Sequence, residues 1–63
     1  MVNNIRDIRI KRGLTQKEFA SMLNISYDYL NKLERGKKTP SLTLAVRMAR
    51  SLDCKLDDIF FID

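Results

Sequence analysis

Thr15–Gly36 reads TQKEFASMLNISYDYLNKLERG, and its punctuation predicts two short helices separated by a tight turn. Thr15, with Glu18 three residues on, forms a capping box: the Thr hydroxyl accepts the backbone N–H of Glu18, and the Glu carboxylate reaches back to the N–H of Thr15. Phe19, Ala20 and Leu23 then share one helical face. Asn24 tolerates the left-handed conformation better than most residues and can end this helix. Ser26 opens the next helix as an N-cap, Leu30 and Leu33 repeat the apolar stripe, and Gly36 stops it. Ala20 falls where two crossing helices come closest, and its small side chain permits that approach. Ile25 is apolar within the turn and pins the turn to the core.

A short helix, a turn of about three residues and a second short helix make a helix-turn-helix. Away from Leu30 and Leu33, the second helix carries Tyr27, Asp28, Asn31, Lys32 and Arg35. All of these can hydrogen-bond. Such a face can lie in the major groove of double-stranded DNA, which admits one α-helix and displays donors and acceptors on base edges.

Sixty-three residues are expected to form a single domain over 1–63. A domain of this size buries only about 60% of its unfolded surface, so dimerisation would help it. An apolar content of 44% is normal for a globular chain and argues against disorder. No stretch approaches the roughly 20 apolar residues of a membrane span, and the start of the chain lacks a signal peptide's apolar region. The expectation is a cytoplasmic protein with no membrane partner. A lone Cys excludes an internal disulfide. With no His, no metal-ligand cluster, no P-loop and no G-x-S-x-G, nothing supports an enzyme, a metal site or a cofactor. Asp57 and Asp58 are adjacent, so a helix places them on different faces and not in a paired site.

The net charge of +4 is unevenly spread. Residues 1–50 hold eleven of the twelve Lys and Arg against four acids, a net of +7. Residues 51–63 hold Lys55 against Asp53, Asp57, Asp58 and Asp63, a net of −3. A basic body with an acidic end suggests a polyanion on one side and water or another partner on the other. A solvated charged surface would look the same by charge alone.

The flanks complete an all-α reading with five helices. Asn3 or Asn4 caps a first helix running to about Arg12, with Ile5 and Ile8 buried and Gly13 at its end. Arg6, Lys11 and Arg12 form a solvated face, some within reach of phosphate. Ser41 caps a fourth helix running to about Leu52. Leu42, Ala45, Val46, Ala49 and Leu52 read as its core stripe. Met48 is core or interface, Leu44 lies off the stripe, and Arg47 and Arg50 are solvated. Leu56, Ile59 and Phe60 make a final short helix. Ile59 to Ile62 is more apolar surface than a small core hides, and an exposed apolar patch marks an interface. Residues 57–63 are therefore the expected dimerisation segment, with Phe60, Phe61 and Ile62 at the contact. This end pairs as a strand with Met1–Asn3, packs across a two-fold axis, or does both.

The run Leu14-Thr15-Gln16, Phe19-Ala20, Leu23, Ile25-Ser26, Leu30, Leu33-Glu34-Arg35-Gly36 and Pro40-Ser41-Leu42 resembles the XRE/Cro/phage-repressor family of DNA-binding domains over about Ile5 to Phe60. The resemblance implies a five-helix, repressor-like domain whose second and third helices form the helix-turn-helix. It implies that Tyr27, Asp28 and Lys32 occupy the base-reading positions. Lys to the O6/N7 edge of guanine is a common specific contact. Asp28 either accepts from cytosine N4 or only stabilises the first turn of its helix through the dipole. Gln16 would bond a phosphate at a helix N-terminus and brace the start of the next helix, although it is also an ordinary helix former. Asn31, Arg35, Lys37 and Lys38 would contact the DNA backbone, which sets register but not sequence. Arg9 and Glu34 would pair beneath the recognition helix and fix the first helix against the third.

The chain departs from the family in several places. Its recognition helix lacks the usual Gln- and Arg-rich set, so no operator sequence carries across. Asp53 replaces a customary glycine at a helix end, so that turn is expected to be more strained. Lys55 replaces a Ser or Thr cap. Cys54 stands where the family has a small apolar residue and is expected to be a buried, structural thiol. The function implied is a sequence-specific, dimeric transcriptional regulator, a repressor reading a near-palindrome. A second reading is an antitoxin or adaptor that binds another protein through Phe60–Ile62 and DNA only secondarily. A third is an architectural nucleic-acid binder without sequence preference.

Overall fold

The structure, a computed structural model, describes residues 2–61. Met1, Ile62 and Asp63, and the side chains of Val2 and Phe61, lie outside the described set. The chain runs β1 (Val2–Asn3), α1 (Ile5–Lys11), α2 (Gln16–Leu23), α3 (Tyr27–Glu34), α4 (Leu42–Ser51), α5 (Leu56–Ile59) and β2 (Phe60–Phe61). The five expected helices are all present. The two short strands pair antiparallel, Val2 opposite Phe61 and Asn3 opposite Phe60, and bring the two ends of the chain together.

Local chemistry sets the helix boundaries. The capping box at α2 is complete, with Glu18 N–H to Thr15 Oγ1 at 3.0 Å and Thr15 N–H to Glu18 Oε1 at 2.9 Å. These bonds hold the exposed Glu18 carboxyl below the usual carboxylate range. That contribution is present at neutral pH and fades as the pH falls through the lowered value. Ser26 and Ser41 cap α3 and α4 by accepting the N–H of Tyr29 and Leu44. At α5 the Lys55 side chain offers no acceptor, and Asp58 Oδ2 takes the Lys55 N–H at 3.0 Å instead.

The four longer helices end alike. Gly13, Asn24, Gly36 and Asp53 have φ of 73°, 57°, 74° and 53°. In each case the next amide turns back onto the helix: Leu14 to the Arg9 carbonyl, Ile25 to Ala20, Lys37 to Lys32 and Cys54 to Ala49. This is the left-handed stop expected at helix C-termini. At Gly13 a Cβ would meet nothing within 4 Å, so φ and not space calls for glycine there. Asp53 adopts the same conformation with a side chain, which costs it the freedom glycine has.

The core gathers residues from every helix. Ile5, Phe19, Leu23, Leu30, Leu33, Met48, Leu52 and Ile59 are fully buried, and Ala20 is 3% exposed where α2 meets its neighbours. Ile8, Ile25, Tyr29, Leu56 and Phe60 pack partly buried against this cluster. Cys54 is half-buried, not fully so. Its thiol lies 3.8 Å from the Ala49 carbonyl, and burial pushes its pKa up, which favours the protonated thiol over the nucleophilic thiolate.

The stripe on α4 differs from the one expected. Leu44 is buried at 7% exposure with Met48 and Leu52 one and two turns on, whereas Leu42 is 72% exposed and Val46 only partly covered. Both phases share Ala45, Ala49 and Leu52, and docking against α2 and α5 selects between them. Leu44→Ala should therefore cost about 2–5 kcal/mol. Leu42→Ala should stay within about 0.5 kcal/mol, both read by urea unfolding at concentrations that keep the chain monomeric.

Candidate nucleic-acid interface

The outer face of α3 exists because its inner face is anchored. Leu30 and Leu33 are fully buried, which turns Tyr27, Asp28 and Lys32 outward. Tyr27 is 44% exposed. Asp28 and Lys32 are exposed one turn apart, and no ion pair joins them. Arg35 continues that row into the last turn, and Asn31 sits partly buried at its edge. Lys37 and Lys38 are exposed in the loop that follows, and the Lys37 N–H on the Lys32 carbonyl at 2.9 Å sets the start of that loop against α3. Asp28 makes no capping hydrogen bond. The Tyr29 N–H goes to Ser26 Oγ at 3.1 Å, leaving Asp28 as an exposed first-turn carboxylate.

Beneath this face lies a buried polar network. Arg9 Nε donates to Glu34 Oε2 at 2.7 Å and Nη2 to Oε1 at 3.2 Å, a fork-to-fork pair. Both side chains are more than nine-tenths buried. Arg9 Nη1 donates to the Leu14 carbonyl at 2.7 Å, and Gln16 Nε2 donates to Glu34 Oε1 at 3.0 Å. Gln16 thus braces the last residue of α3, not its start as expected. The network joins α1, the α1–α2 turn, the first residue of α2 and the end of α3. No buried side-chain N or O among the described residues lacks a hydrogen-bond partner.

Two arginines expected in solvent have structural partners. Arg12 Nε donates to the Leu52 carbonyl at 2.7 Å, and Nη2 to the Asp53 carbonyl at 3.3 Å, at the end of α4. Arg47 Nη2 donates to the Leu23 carbonyl at 2.7 Å, at the end of α2 and the start of the helix-turn-helix turn. A cation at a helix C-terminus satisfies orphan carbonyls and the dipole together. No spacing in the sequence marks either contact, because each bridges elements far apart in the chain.

Phe60 is partly buried and lines an apolar groove of about 220 Å³ with Pro40, Leu42, Ala45 and Leu56. Of the other residues expected at this contact, Ile62 and the Phe61 side chain lie outside the described set. Among the described residues no helix is long and apolar enough to cross a membrane.

Removing one member of the buried pair leaves the other uncompensated. Glu34→Gln should cost about 3–5 kcal/mol in urea unfolding. The double change Arg9→Met with Glu34→Leu should cost less than Glu34→Gln alone.

A helix-turn-helix family model matches residues 5–59. An HTH-type transcriptional regulator of Archaeoglobus fulgidus is 38% identical over 63 residues, covering 100% of this chain and 90% of its own. One from Methanothermobacter thermautotrophicus is 42% identical over 60 residues, covering 94% and 87%. Among solved structures, the restriction-modification controller protein C.AhdI of Aeromonas hydrophila superposes with a TM-score of 0.81 at 28% identity, over 89% of this chain and 85% of that one. The biofilm regulator SinR, solved in complex with DNA, shares the fold with a TM-score of 0.76 at 24% identity, over 84% and 86%. By these matches and by its own capping, turn and core residues, the chain belongs to the helix-turn-helix family of DNA-binding regulators, of the XRE/Cro type.

Proposed function

We propose that this regulator is a dimeric, sequence-specific repressor that reads DNA through α3. The observation that carries the reading is the division of α3 into a fully buried leucine face and an exposed face of hydrogen-bonding side chains. Membership of this family makes the chain a non-enzymatic regulator, and its place of action would be the cytoplasm, where the DNA is. Lys32 reads guanine, Tyr27 contacts a thymine methyl or a phosphate, and Asp28 accepts from cytosine N4. The Asp28 carboxylate is exposed and takes no capping hydrogen bond, so it is free to accept from a base, while in the first turn it also favours the helix dipole. Gln16, Asn31, Arg35, Lys37 and Lys38 hold the sugar-phosphate backbone. Gln16 has a second amide N–H beyond the one given to Glu34, and its position at the first turn of α2 suits a phosphate.

The second copy docks on the groove at Pro40, Leu42, Ala45, Leu56 and Phe60, with residues 57–63 as the dimerisation segment. Leu42 stands 72% exposed at the edge of that groove, so a two-fold axis would bury each copy's Leu42 against the other's groove. Two copies would present their α3 helices to successive major grooves about 34 Å apart.

Selection from a random duplex pool at about physiological salt tests the reading. The expected product is a two-fold symmetric motif with half-sites about one helical turn apart. Against that motif, Lys32→Ala should cost about 1–3 kcal/mol and relax one position, whereas Lys37→Ala should weaken all duplexes alike and lower the salt slope. An enriched pool without a motif would return the chain to the adaptor or architectural readings. Leu42→Asp should leave the helical circular dichroism signal intact and shift the chain to monomer in sedimentation equilibrium. Persistence of the dimer would remove the groove from the interface.

A further inference from the structure

Asn3 sits at a junction of three elements. Its backbone lies opposite Phe60 in the strand pair. Its Oδ1 accepts the Ile5 N–H at 3.1 Å, which turns the chain into α1. Its Nδ2 donates to the Leu33 carbonyl at 3.0 Å, 30 residues away in the last turn of α3. Asn4 secures the same junction, donating its backbone N–H to the Ile59 carbonyl at 2.7 Å and its Nδ2 to the Asp58 carbonyl at 3.3 Å. The end of α5, the start of β2 and the start of α1 are thus bonded together beside Asn3.

An amide side chain has one accepting and one donating end. At Asn3 each end meets a group that only one orientation satisfies, so the side chain is fixed. The last turn of α3 is then held at two successive residues, Leu33 by Asn3 and Glu34 by Arg9. A helix packed by leucines alone can roll, because apolar contact has no direction. Hydrogen bonds weaken steeply with misalignment, so the two holds resist that roll, and base reading depends on the angle they keep.

We propose that Asn3 is a positioning residue for DNA recognition, tying the strand pair closed by the carboxy-terminal segment to the last turn of α3. Seating of that segment then sets the angle at which α3 meets a groove. The inference rests on the DNA-reading function proposed above.

The test uses the full chain with Asn3→Asp and Asn3→Ala. Each protein is titrated against a duplex carrying the site selected by the unaltered chain and against a random duplex of equal length. Asp keeps the acceptor for Ile5 but sets an oxygen against the Leu33 carbonyl, and Ala removes both bonds. The readout is the ratio of the two affinities. Loss of folded protein, or one added negative charge, lowers both affinities alike and leaves the ratio where it was. The ratio should fall by about tenfold for Asn3→Asp, the scale of a lost hydrogen bond with two acceptors opposed, and by a smaller factor for Asn3→Ala. The salt slope should not move, because no phosphate contact is removed. If Asn3→Asp does not fold by circular dichroism, Asn3→Ala decides alone. An unchanged ratio in the folded variants overturns the proposal and leaves DNA reading standing. An unaltered chain that selects no site overturns the DNA reading, and this proposal with it.

Discussion

The buried fork between Arg9 and Glu34 is the constraint on which the presentation of α3 depends. Leu30 and Leu33 bring α3 to the core, but their packing carries little direction. The guanidinium does, because its three nitrogens lie in one plane and each donates: two to the Glu34 carboxylate and one to the Leu14 carbonyl. Gln16 adds a donor from the start of α2. One network therefore refers the end of α3 to both preceding helices. Desolvation of two charges offsets much of their attraction, so the pair contributes geometry more than stability.

The same logic divides the basic residues. By composition the first fifty residues are a strongly basic body, and all of that charge looks available to a polyanion. In the fold, Arg9 is buried on the Glu34 carboxylate, and Arg12 and Arg47, though exposed, are held by donating to carbonyls at helix ends. Lys32, Lys37 and Lys38 remain exposed. A planar, weakly hydrated guanidinium reaches several carbonyls with little desolvation, whereas a compact ammonium keeps its water. The charge facing outward around α3 is accordingly that of Lys32, Arg35, Lys37 and Lys38, not that of the whole chain.

A chain this short has few ways to hold its ends. Antiparallel pairing of Val2–Asn3 with Phe60–Phe61 satisfies backbone groups at both termini and sets the acidic α5 beside the start of α1. Pairing does not absorb all the apolar surface of α4 and α5. Leu42 and the groove beside Phe60 stay open to solvent, which is the face proposed above for a second copy.

The sequence by itself determined the local grammar of this protein. Thr15 with Glu18, Ser26, Ser41, Asn24 and Gly36 each act on backbone groups within a few residues, so their effect was legible without knowing what lay across the core. Leu23, Leu30 and Leu33 were legible for the same reason, as one face of a period. The family motif around Leu14-Thr15-Gln16 and Leu33-Glu34-Arg35-Gly36 carried the helix-turn-helix with them. Only the tertiary structure decided the phase of α4, where Leu42 and Leu44 fit alternative stripes and packing chose Leu44. It alone decided that Arg12 and Arg47 cap helices remote in sequence, that Gln16 reaches Glu34, and that Asn3 reaches Leu33. Those bonds join residues 18 to 41 positions apart. No periodicity or spacing encodes such a distance, because it is created by the folding of the chain.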